Sequence, residues 1–91
     1  MKELCIITVI GKDKVGIVYE ISKFCKENNI NIEDIMQKIM ADNFVMAMMI
    51  DIANSPLKMK EIREGLEKIG EKLNLKITIH HTDIFKKMHR I

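Results

Sequence analysis

Aromatic side chains are scarce in this 91-residue chain, with no Trp, one Tyr and three Phe, which leaves little to stack nucleic-acid bases on. Cysteine is as sparse. Cys5 and Cys25 both sit in apolar runs and share no Cys-x-x-Cys spacing, so a disulfide framework and a paired-thiol metal or redox site are excluded, and a reducing compartment is expected. Charge of one sign is missing too: 15 basic against 13 acidic residues give a net charge of +2, too weak a field to recruit nucleic acid or a membrane surface. No long hydrophobic run occurs, since residues 44–50 form the longest and a membrane helix needs roughly 20. Met1-Lys2-Glu3 leads directly into a strand-like run without the charged and apolar regions of an export leader, so a cytoplasmic location is expected. Proline occurs once and glycine four times, against 47% hydrophobic and 31% charged residues, which is the composition of one ordinary folded domain spanning 1–91.

Periodicity divides the chain into six segments and a tail. Leu4, Cys5, Ile6, Ile7, Thr8, Val9 and Ile10 read as a strand buried on both faces and stopped by Gly11. After a turn over residues 11–16, Ile17, Ile21, Phe24 and Cys25 recur at helical spacing, and Asn29 suits a left-handed stop. A second strand from residue 31 or 32 to 41 alternates Ile32, Asp34, Met36, Lys38 and Met40 against Glu33, Ile35, Gln37, Ile39 and Ala41. Asp42-Asn43 then turns the chain into a third strand, residues 44–53, that is apolar except at Asp51. Ser55-Pro56 marks an N-cap and first helical position ahead of Met59, Ile62, Leu66, Ile69 and Leu73. Residues 75–82 form a fourth strand, and Asp83 opens a short helical tail, residues 83–91, in which Ile84, Phe85, Met88 and Ile91 share a side.

The order βαββαβ, with right-handed crossovers, predicts an α+β ferredoxin-like sandwich: a four-stranded antiparallel sheet carrying both helices on one face. The third strand and, to a lesser degree, the first are apolar on both sides, so the other face asks for a cover. A homo-oligomer, most simply a dimer, supplies it at least cost in assumptions; the tail folding back over the sheet is the alternative.

The turn over residues 11–16 delivers the chain to the start of the first helix, where unbonded N–H groups and the positive dipole end favour a carboxylate. Asp13 there serves either as a helix cap or as a ligand group, and Gly16 either packs helix against sheet or lets a ligand reach the backbone. Asp13-x-x-Gly16-Ile17, followed by a helix and then Asn31-Ile32, resembles the pattern of the ACT domain. The longer run from Gly11 to Val18 and the ending Asp83-Ile84-Phe85-Lys86-Lys87-Met88-His89-Arg90-Ile91 look like the small stand-alone ACT proteins of the UPF0237 group. Val15 stands where ACT domains often carry proline, which the group also lacks. The resemblance implies a sandwich that pairs with itself and binds an amino acid where the first loop meets a neighbouring subunit. On that basis the backbone of Val15, Gly16 and Ile17 holds the ligand carboxylate, while Asp13 and Asn31 bind its amino group or order the loop. The related glycine-cleavage repressor type joins two such domains and acts in regulation, which points to a regulatory role with a client protein.

Other chemistry is weaker. His80, His81, Asp83 and His89 are the only residues with metal-ligand character in one region, yet neighbours on a strand point to opposite faces, so no metal is expected. Methionines 36, 40, 46, 48 and 49 read as core and interface filling rather than soft-metal ligands. Copper chaperones share the strand order but need cysteines in the first loop. RNA-recognition motifs stack bases on the central strands, where only Phe44 is aromatic. Acylphosphatases hold phosphate with a loop arginine, and residues 11–16 contain lysines only. No Ser, His and acid arrangement points to a hydrolase, and buried thiols make poor nucleophiles. The expectation is therefore a regulatory module without catalytic residue or cofactor; a ligand-free structural or protein-interaction module is the alternative, and an acylphosphatase-like enzyme is third.

Overall fold

The computed structural model describes residues 1–12 and 15–82. The elements are β1 (Leu4–Lys12), α1 (Ile17–Glu27), β2 (Asn31–Met40), β3 (Asn43–Asp51), α2 (Met59–Leu73) and β4 (Leu75–His81). They form a ferredoxin-like α+β sandwich whose four-stranded sheet runs β2-β3-β1-β4, antiparallel at every pairing. The expected terminal helix falls outside the described residues, as do Asp13 and Lys14.

Alternation decides the core. Cys5, Ile7 and Val9 of β1, Met46, Met48 and Ile50 of β3, and Ile79 of β4 project toward the helices and are 2% exposed or less. Ile17, Ile21 and Cys25 of α1 and Ile62 and Leu66 of α2 close over them at helical spacing. The opposite face carries Leu4, Ile6, Thr8 and Ile10 of β1, Val45, Ala47 and Met49 of β3, and Asp34, Met36 and Lys38 of β2, placed there by the register.

The strands end one or two residues from the expected positions, the third at Asp51 rather than at residue 53, and four further differences have local reasons. β1 runs through Gly11 to Lys12, because Gly11 pairs with both Phe44 and Leu75 and its missing Cβ makes room for the Leu75 side chain. The β2–β3 turn is Ala41-Asp42, at φ 47° and 68°, the left-handed pair that a tight two-residue hairpin needs. A bulge at Glu33 reverses the parity of β2, so Ile32 joins Ile35, Gln37 and Ile39 on the helix side instead of Asp34 and Met36 on the other. α2 begins at Met59, not Pro56: the Ser55 hydroxyl accepts from the Leu57 N–H at 3.2 Å in a local turn, and the Glu61 carboxylate accepts from the Lys58 N–H at 2.9 Å to start the helix. Asn29, at φ 56°, terminates α1 as expected.

Candidate functional site

Gly16 is the N-cap of α1 and sits at φ 94°, a conformation that costs a residue with a Cβ about 1–2 kcal/mol. A Cβ built there meets nothing within 4 Å, so packing against the sheet does not explain the glycine; backbone conformation and open space do. Having no side chain, it cannot cap the helix, and the first helical bond is Glu20 N–H to the Gly16 carbonyl at 2.9 Å. The N–H groups of the first turn thus face outward without an intrahelical acceptor.

They face a hollow of about 580 Å³, within the range that takes small organic ligands. Gly16, Ile17, Val18 and Tyr19 form one wall, Gln37, Lys38 and Ile39 at the far end of β2 form the other, and Phe44 lies among them. The hollow exists because β2 outruns the helix layer: Ile35 and Ile39 project to the helix side yet are 41% and 59% exposed. A carboxylate on the α1 amides with an apolar group against Ile39 and Phe44 is the occupant this chemistry suits. Val15 is fully exposed at the rim. Sequence reasoning missed Tyr19, Gln37, Lys38, Ile39 and Phe44; the surplus of apolar residues on β2 relative to an eleven-residue α1 is the signal that points to them.

Asn31 lies at the other end of α1, about 16 Å from Gly16 for eleven residues of helix. With Lys26, Asn29, Ile30, Asp51 and Asn54 it lines a second, polar hollow of about 240 Å³. Bonds are plentiful here. The Asn31 amide donates to the Glu33 carboxylate, which also pairs with Lys2 and is thereby held below the usual carboxylate range. Asn29 donates to the Asn54 carbonyl at 3.0 Å, and Asp51 accepts from the Glu3 and Ala53 N–H groups at 2.9 and 3.0 Å, which lower its pKa. Within one chain, then, Asn31 does not meet Val15, Gly16 and Ile17; Asp13 lies outside the described residues.

The remaining candidates separate. His80 pairs across the sheet with Ile6 and His81 with Cys5, so the two imidazoles occupy opposite faces as strand geometry requires. His81 stands 3.7 Å from the Cys5 thiol through Nδ1 and 3.3 Å from Glu3 through Nε2, an order of groups reminiscent of thiol catalysis, but the Cys5 side chain has no exposed surface for a substrate to reach. Burial pushes the Cys25 thiol up to about 11. Arg63, the one arginine among the described residues, donates to the Ile79 carbonyl at 3.3 Å and holds α2 to the sheet. Among the described residues no group of three acidic, His or Cys side chains could hold a metal ion, and no helix is long and apolar enough to cross a membrane.

Comparison with known proteins places this geometry. The family model of the ACT domain matches residues 3–80. A UPF0237 protein of Methanocaldococcus jannaschii is 48% identical over 86 residues, covering 94% of this chain and 96% of its own, and one from Clostridium perfringens is 45% identical over 94% and 97%. The solved ACT domain protein from Streptococcus pneumoniae superposes with a TM-score of 0.81 at 35% identity, over 93% of this chain and 96% of that one. A putative glycine cleavage system transcriptional repressor shares the fold at TM-score 0.77 and 23% identity, this chain spanning 90% of itself and 47% of that protein.

Proposed function

This chain belongs to the ACT domain family, in its UPF0237 group, and on that premise we propose that it is a cytoplasmic regulatory module, one ACT unit over residues 1–91, that binds a free amino acid between two copies. It does no chemistry on its ligand. The observation that carries the reading is the glycine-capped start of α1, whose outward amides open onto an apolar hollow. The carboxylate accepts from the backbone at Val15, Gly16 and Ile17, and the apolar side chain lies toward Ile39 and Phe44.

Two copies complete the site. β2 is an edge strand with Ile35, Met36, Ile39 and Met40 exposed, a row that soluble edges seldom present uncovered. If two β2 strands pair antiparallel about a twofold axis, the start of one lies beside the end of the other. Asn31 of one copy then approaches the Gly16 hollow of its neighbour, and Asn31 and Asp13 receive the ammonium group or order the loop. A ligand gripped by both copies favours one mutual orientation, and that shift in population is what a client protein reads.

Calorimetry against a panel of the common amino acids tests the reading. Heat with one or a few of them, lost in Gly16→Leu while circular dichroism is unchanged, is the expected result. No heat with any member moves the assignment to a ligand-free protein-interaction module, and turnover of an acyl phosphate at an enzyme-like rate would move it to catalysis.

A further inference from the structure

The sheet face away from the helices is complementary to itself. Its middle row, set by the register, is Met36, Ala47, Thr8 and Thr78 across β2, β3, β1 and β4. One step toward the Leu4 end lie Asp34, Met49, Ile6 and His80; one step the other way lie Lys38, Val45, Ile10 and Lys76. Met36 is 73% exposed and Ile10 52%, so apolar groups of this face stand in water. The Thr8 and Thr78 hydroxyls bond to each other, and a cover over them strands no polar group.

A twofold axis laid along the middle row, across the strands, turns this face onto a copy of itself and exchanges the two outer rows. Asp34 of each copy then falls over Lys38 of the other, Met49 over Val45, and Ile6 over Ile10. Farther out, Asp51 falls over Asn43 with Lys12 beside it. Lys76 lies over His80 at the β4 rim, where solvent screens the pair. An axis along the strands would instead set Lys38 over Lys76, like charge against like. We infer that this sheet face is covered by the same face of a second copy, packed antiparallel about the row of Met36, Ala47, Thr8 and Thr78.

Size agrees with charge. Packed sheets stand about 10 Å apart, a gap that opposed Met, Ile and Val side chains fill and that a lysine spans to reach a carboxylate. Strands of seven to ten residues, four abreast, present roughly 19 by 26 Å of face, and two such faces bury about 1,000 Å², enough for a specific contact. The β2 edge and the Gly16 hollow stay uncovered, so this inference does not rest on the ligand reading. With the edge pairing of that reading the assembly closes at four chains; without it, the face pair stops at two.

The direct test places charge on the axis. Ala47 lies on β3, inside the sheet, beside a shallow hollow of about 140 Å³ that has room for a longer side chain in the folded chain. Ala47→Glu and Ala47→Lys each set like charges face to face, so sedimentation of either full-length variant is expected to show half the wild-type assembly. That means four chains falling to two where edge pairs form, or two to one where they do not, so failure of the ligand reading leaves this test intact. Mixed in equal amounts, the two variants are expected to regain the wild-type size, each glutamate meeting a lysine. A solitary wild-type chain, wild-type size in either variant alone, or variants that are folded by circular dichroism yet stay small when mixed, overturns the inference. A second readout needs no substitution. In a mixture of isotope-labelled and unlabelled chains, the Met49 methyl of one copy is expected to show a filtered nuclear Overhauser contact to Val45 of another, which pairing at the β2 edge does not supply; its absence contradicts the face pair.

Discussion

The two ends of α1 are built on opposite terms. At its C-terminus Asn28 donates to the Phe24 carbonyl at 2.8 Å, Asn29 to the Asn54 carbonyl, and Asp51, Asn31, Glu33 and Lys2 bond among themselves and to the backbone. At its N-terminus a glycine takes the cap position and offers no side-chain acceptor, and apolar groups of β2 stand uncovered beside it. One end spends its polar groups on holding the chain in shape. The other leaves its first backbone amides open to an outside partner.

Substitutions at the two ends should therefore separate binding from stability. Gly16→Leu is expected to weaken ligand binding at least 100-fold, about 2.7 kcal/mol, while chemical denaturation registers only the 1–2 kcal/mol or so of left-handed strain; equal losses in both would erase the contrast. Asn29→Ala should do the reverse. It forfeits a tolerant left-handed residue and the bond to Asn54, an expected loss of roughly 1–2 kcal/mol in denaturation with affinity nearly unchanged. Asn31→Ala sharpens the comparison, because Asn31 sits at the bonded end yet is assigned to the neighbouring copy's hollow: its bond to Glu33 is solvent-exposed, so little stability is lost, while about a tenfold loss of affinity, near 1.4 kcal/mol, is expected. The smallest effect is in acid. The folded Asp51 pKa lies below its unfolded value near 3.9, so the carboxylate contributes stability above that pH and loses it as pH falls through the folded value. A carboxyl-resonance titration should place its midpoint below the ordinary Asp value.

Much of this was legible in the residues. The helical spacing of Ile62, Leu66 and Ile69 follows from which side chains must leave water, and burial follows it, whereas residues 4–10, read as buried on both faces, bury only Cys5, Ile7 and Val9 and leave Ile10 half exposed. The glycine-led start of α1 was legible because a loop entering a helix N-terminus has few ways to satisfy its amides. The bulge at Glu33 was not, since a strand of mixed polar and apolar residues fits either parity and the pairing with β3 decides. The start of α2 was missed for a similar reason: Ser55-Pro56 offers a good cap, but its hydroxyl closes a turn instead. The far wall of the hollow depends on how far β2 extends past α1, which shows only when the apolar residues of the two elements are compared and not in either segment alone.

Mixing two defective variants tests the shared site most directly. Gly16→Leu and Asn31→Ala chains, each impaired alone, are unfolded, combined and refolded, and amino-acid binding is measured by calorimetry. If each site takes its glycine from one chain and its asparagine from the other, random pairing gives intact sites amounting to about a quarter of the total, at wild-type affinity. If each site lies within a single chain, every site in the mixture keeps one lesion and no wild-type affinity returns.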